Sequence, residues 1–125
     1  MSNAVELNVF GEELQPCSTD PMTGFYRTGS CAAGPEETAR HLVCCQMTDE
    51  FLAYSKSMGN DLSTPRPEVS FPGLQAGDRW CLHVLRWKEA LAAGAAPKVS
   101  VLSTSQHALK FVTLDDLKRH AFDLS

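Results

Sequence analysis

No run of apolar residues approaches the ~20 that a membrane-spanning helix requires, so the sequence predicts no membrane segment. Clustered positive charge is equally scarce. The chain carries 11 basic and 15 acidic residues, a net charge of −4, and its basic residues gather nowhere beyond Lys118-Arg119. A phosphate-backbone binder concentrates basic side chains on one face, so nucleic acid is not an expected partner. An anionic membrane surface is disfavoured for the same reason. The first residues, Met1 to Glu6, have neither the basic region nor the apolar stretch of a secretory signal. Cysteine is present, but never as C-x-x-C and in none of the strong zinc spacings. Internal repeats and low-complexity tracts are lacking too.

What remains fits one soluble domain. A chain of 125 residues holds a single core, and at that length it needs no metal or disulfide to stabilise it. Residues 1–7 read as an N-terminal tail, in which Ser2-Asn3-Ala4 resembles an expression-vector remnant. Residues 8–125 read as the domain. The five cysteines, Cys17, Cys31, Cys44, Cys45 and Cys81, are odd in number and follow no export signal. Reduced thiols in a cytoplasmic protein are therefore expected. A bond between the neighbours Cys44 and Cys45 is discounted because it would strain the intervening peptide.

Glycine and proline fall in two main groups, seven from Gly11 to Pro35 and six from Gly59 to Gly77. Two long loops thus alternate with regular elements. Loops of this length in a small domain are usually functional or packed on themselves. His41 to Met47 is short and apolar and predicts a buried strand. Thr48, followed by Asp49 and Glu50, predicts a helix start. Phe51, Leu52, Ser55 and Met58 share one face of that helix, and Gly59 ends it. Arg79 to Trp87 alternates as a strand does. A short helix over Lys88 to Ala93, a third strand over Val99 to Leu102 and a fourth over Leu109 to Val112 follow. Thr113-Leu114-Asp115-Asp116 predicts the start of a last helix. Without regular strand–helix alternation, the expected class is α+β: a small antiparallel or mixed sheet with about three helices.

The loops are the more distinctive part of the chain. The first contains Asn8-Val9-Phe10-Gly11, Cys17-Ser18, Thr23-Gly24-Phe25, Arg27 and Cys31. The second contains Gly59-Asn60-Asp61-Leu62-Ser63-Thr64-Pro65, Phe71-Pro72-Gly73-Leu74, Gly77-Asp78 and Trp80-Cys81-Leu82, with Arg86-Trp87 beyond. From about Asn8 to Ala121 this combination resembles a family of small, mostly bacterial proteins known as domain of unknown function 2237. The resemblance implies a stand-alone α+β domain and no particular activity. Against the family pattern, His83 stands where cysteine is frequent, and Thr104-Ser105-Gln106 where Thr-His-Glu is frequent.

Three constellations are candidates for chemistry. A thiol enzyme would use Cys44 or Cys17 as nucleophile, with His41 as base and Asp61 as orienting carboxylate. Spacing alone supports this weakly, because positions 41 and 44 point to opposite faces of a strand. A metal site would draw on Cys17, Cys31, His41, Cys44, Cys81 and His83. No cofactor is expected by default, and zinc is the alternative. A polar ligand pocket would use Asn60, Asp61, Ser63, Thr64 and Arg66, with Asp78 and Trp80 at the next turn. Against these stand plainer roles: buried cysteine as a small hydrophobe, and Asp and Asn bonding their own turns. The reading favoured by the residues is a binding or accessory module, whose partner is a small molecule or a protein. Its site is expected where the two loops meet the strand beginning at Arg79.

Overall fold

The computed structural model describes residues 6–34 and 36–123. Of the expected tail, residues 1–5 lie outside the described residues.

The apolar stretch from Leu42 to Cys45 forms the centre of the molecule. It lies in β1 (His41–Gln46), with all four side chains buried. A strand buried on both faces belongs in the middle of a sheet. Accordingly β2 (Arg79–His83) and β3 (Lys98–Val99) flank it, both antiparallel, in the order β2-β1-β3.

The first helix, α1 (Asp49–Ser57), begins as its sequence dictates. The Thr48 hydroxyl accepts the Phe51 N–H at 3.1 Å, and Asp49 and Glu50 occupy the positive end of the helix dipole. Gly59, at φ +88°, takes the left-handed turn that stops it. Phe51, Leu52 and Ser55 face the core. Met58, expected beside them, is exposed. It is the C-cap, so the helical period no longer directs its side chain.

The second helix, α2 (Val84–Ala92), corrects the strand expected to run to Trp87. The ladder stops at His83, whose Nδ1 accepts the Leu85 N–H at 3.2 Å. Val84, Trp87 and Ala90 then recur at helical spacing, and all are buried. The helix expected over 88–93 is the second half of this one. The expected third strand is also shorter than its sequence suggests. Asp123 gathers the Ser100 hydroxyl and the N–H groups of Val101 and Leu102. Those donors are lost to a ladder, and the chain coils into a 3-10 turn at Val101–Ser103. The expected fourth strand is replaced by a 3-10 helix, Gln106–Lys110, capped by the Ser105 hydroxyl. Finally α3 (Leu114–Arg119) starts at Thr113, whose hydroxyl accepts the Asp116 N–H at 3.1 Å, and buries Leu117.

The fold is α+β: a three-stranded antiparallel sheet with three short helices. One core joins Leu42, Phe51, Leu82, Trp87, Val99 and Leu117. Among the described residues no helix is long and apolar enough to cross a membrane.

The first long loop packs closely, whereas the second is largely exposed. In the first, buried Asn8 donates to the Leu102 carbonyl and accepts the N–H groups of Phe10 and Glu12. The Glu6 carboxylate accepts from Ala33 N–H, Gly34 N–H and the Ser105 hydroxyl. Gly24, at φ +98°, passes so close to the Ser30 carbonyl that a Cβ would collide with it.

Candidate functional site

The sheet divides the cysteines. Cys44 on β1 and Cys81 on β2 are register partners, side by side on one face. The first loop lays Cys17 and Cys31 over them. Two disulfides result, Cys17–Cys44 and Cys31–Cys81, with Cα separations of 5.6 and 5.2 Å. The expectation of free cysteines is thereby corrected for four of the five. Sequence spacing did not reveal the pairs because they form only when the loop folds back across both strands. Cys45 is the free one, buried in the main core, and burial pushes its thiol well above the ordinary range.

The four bonded cysteines form a separate buried cluster. The Sγ atoms of Cys17, Cys31 and Cys81 lie within 4.8 Å of one another. Backbone donors beside them are satisfied by oxygen: Cys17 N–H by the Gly29 carbonyl, Cys44 N–H by the Thr104 hydroxyl, and Cys81 N–H by the buried Thr23 hydroxyl. Cys17 and Cys44, the expected nucleophiles, are bonded to each other, so neither is a thiolate in this state.

The histidines named with them take a different position. His41 and His83 are register partners at the ends of β1 and β2, and their rings stand edge to face at 5.3 Å. Both line a cavity of about 220 Å³, with Asn60 and Arg86 beside them and Trp80 and Leu82 in its wall. The cavity lies at the N-terminal end of α2, where the helix dipole is positive. Phe25 of the first loop stacks on His41 at 6.0 Å, and the Arg27 guanidinium lies 5.2 Å from the centre of a Trp80 ring.

One cation, Arg86, lines this cavity beside the two imidazoles. Burial lowers the His41 pKa below its ordinary value, with further lowering by His83 and Arg27. Burial also lowers that of His83, followed by the charges of Arg86 and Arg40. The one acid paired with these arginines among the described residues is Glu89, 3.5 Å from Arg86. His83 Nδ1 accepts from Leu85 N–H, which places the proton of the neutral ring on Nε2. The buried Nδ1 of His41 has no hydrogen-bond partner among the described residues.

Of the ligand residues expected from the second loop, Asn60 and Trp80 line the cavity. The others are occupied in their own turns. Asp61 accepts from Ser63 N–H, Thr64 N–H and the Thr64 hydroxyl, and the hydroxyl bond leads the lowering of its pKa. Arg66 pairs with Glu68 at 3.3 Å in solvent. Asp78 accepts the Gln75 N–H at 2.9 Å. The sequence suggested Arg86 as an internal partner for an acid, which its pairing with Glu89 matches, and His83 as a metal ligand. Both share the cavity because β2 gives way to α2 at His83, a boundary hidden by the alternation of Arg79 to Trp87.

Among curated proteins none matches the chain. The pattern of one family, "Uncharacterized protein conserved in bacteria (DUF2237)", matches residues 7–121. That span includes the cavity, both disulfides and all three helices. The chain belongs to this family.

Proposed function

We propose that this protein is a binding module for a small oxyanion, a carboxylate or a phosphate, held in the His41–His83 cavity. The observation that carries the reading is the pair of edge-to-face imidazoles beside Arg86 at the start of α2. A group with acceptor oxygens suits such a site. It would receive the Nε2–H of His83, the Arg86 guanidinium and the Asn60 amide, while the helix dipole favours its charge. Trp80 and Leu82 supply the apolar wall that most small-molecule sites have. The thiol-enzyme alternative has less support, because Cys17 and Cys44 are joined in a disulfide.

Imidazole and guanidinium resonances followed during titration with acetate, and separately with inorganic phosphate, test the reading. The expected result is saturable shifts of the His41, His83 and Arg86 signals. Binding should tighten as pH falls, because an anion favours the protonated rings whose pKa values the free protein holds low. Arg86→Gln should weaken it roughly tenfold through loss of a charge-assisted bond. Shifts that never saturate, or that Arg86→Gln leaves unchanged, would remove the proposal.

A further inference from the structure

We infer that Cys17, Cys31, Cys44 and Cys81 form a tetrathiolate zinc site when both disulfides are reduced. This site is independent of the cavity reading. The geometry comes from two sources. The sheet holds Cys44 and Cys81 in register on neighbouring strands, and the first loop brings Cys17 and Cys31 over the same face. Three of the sulfurs already lie within 4.8 Å of one another, and the fourth, of Cys44, is bonded to that of Cys17. A tetrahedral zinc with bonds of about 2.3 Å holds its sulfurs roughly 3.8 Å apart. Opening the two S–S bonds, closing the remaining gaps among Cys17, Cys31 and Cys81 by up to about an ångström, and drawing the Cys44 sulfur in further reaches that arrangement.

The setting suits a closed, structural site. The cluster contains only cysteines, all buried, so four protein ligands fill the coordination shell with no open position for chemistry. Three of the cysteines have their backbone N–H groups anchored to Gly29, Thr104 and Thr23 by bonds that do not involve sulfur. Those anchors can persist when the disulfides open, keeping the four side chains converged. Four buried thiols would stay neutral by themselves. A divalent cation provides the charge that makes their ionisation favourable.

The conversion balances as follows. Each disulfide takes two electrons and two protons from one dithiol reductant, which leaves as its own disulfide. The four thiols then bind one Zn²⁺ and release four protons. The bonded and metal-bound forms exclude each other, because a sulfur engaged in a disulfide is no thiolate ligand. In a reducing compartment the zinc form is the one expected.

The test uses the whole chain, reduced anaerobically with a phosphine, freed of excess reductant and titrated with Co²⁺, then with Zn²⁺. The expected result is one Co²⁺ per chain with the visible absorption and sulfur-to-metal charge transfer of tetrahedral thiolate cobalt, displaced by one Zn²⁺. The oxidised protein should bind neither. Cys44→Ser should alter the cobalt spectrum, while Cys45→Ala, outside the cluster, should leave it unchanged. Amide dispersion in the zinc-loaded protein must remain that of a folded chain. Absence of metal uptake by the reduced protein, uptake by an unfolded chain, or a spectrum indifferent to Cys44→Ser overturns the inference. Because Arg86 and the histidines take no part, a failure here leaves the oxyanion titration unaffected, and the reverse also holds.

Discussion

His41 shows how one side chain couples packing to pH. Its ring is largely withdrawn from water between Phe25 and His83, and its pKa is lowered first by that burial. The unfolded chain, with an imidazole near pH 6.5, therefore takes up the proton before the folded chain does. Stability associated with the neutral ring is full above that value and declines as pH falls through it. His83 adds in the same direction. His41→Gln should make the fall in urea midpoint between about pH 7 and 5.5 shallower. An unchanged slope would show that the ring is not protonation-coupled to folding. Thr104 is a second informative residue. Fully buried, its hydroxyl donates to the Ser100 carbonyl at 2.8 Å and accepts the Cys44 N–H at 3.2 Å. Thr104→Val keeps the shape and strands the Cys44 N–H, while the Ser100 carbonyl keeps the Ser103 N–H, so a loss of about 1–3 kcal/mol is expected in denaturant melts. A loss below ~0.5 kcal/mol would mean that other partners replace it.

At the scale of elements, the starts of α1 and α3 were legible in the sequence and that of α2 was not. Thr48 and Thr113 cap α1 and α3 as their sequences imply, because a cap is local: a hydroxyl and an N–H three residues apart. Thr48→Ala should accordingly cost about 1 kcal/mol, read as a lower thermal midpoint with the fold unchanged. The centre of the sheet was equally plain in Leu42 to Cys45. The change from β2 to α2 was not. Trp80 and Leu82 fit a period of two, while Val84, Trp87 and Ala90 fit the helical period, and the two patterns run on without a glycine or proline between them. The boundary is made by a local bond, Leu85 N–H to the His83 ring, together with a tertiary one, Val84 N–H to the Arg40 carbonyl. The same limit explains the candidate site. Asn60, Trp80 and His41 were visible as polar or aromatic residues near the loops. The partnership of His41 with His83 and Arg86 depends on strand register, and the cysteine pairs depend on where a 34-residue span, 7–40, folds over the sheet.

For the molecule as a whole, the first loop matters most, since it has no long element of its own to hold it. The disulfides close spans of 27 and 50 residues, which in the chain-entropy picture is worth about 3–4 kcal/mol each. Thermal melts with and without reductant, both in chelator, should differ by well over ten degrees if that stabilisation is realised. Equal midpoints would assign the loop's order to Asn8, Thr23 and Glu6 alone. The spans also interleave, since Cys31 lies inside the first and Cys44 inside the second. A protease that cuts the oxidised chain once, anywhere between Cys17 and Cys81, therefore yields two pieces that remain one covalent molecule. On a gel without reductant the nicked protein keeps its full mass, and two fragments separate only when the sulfurs are reduced.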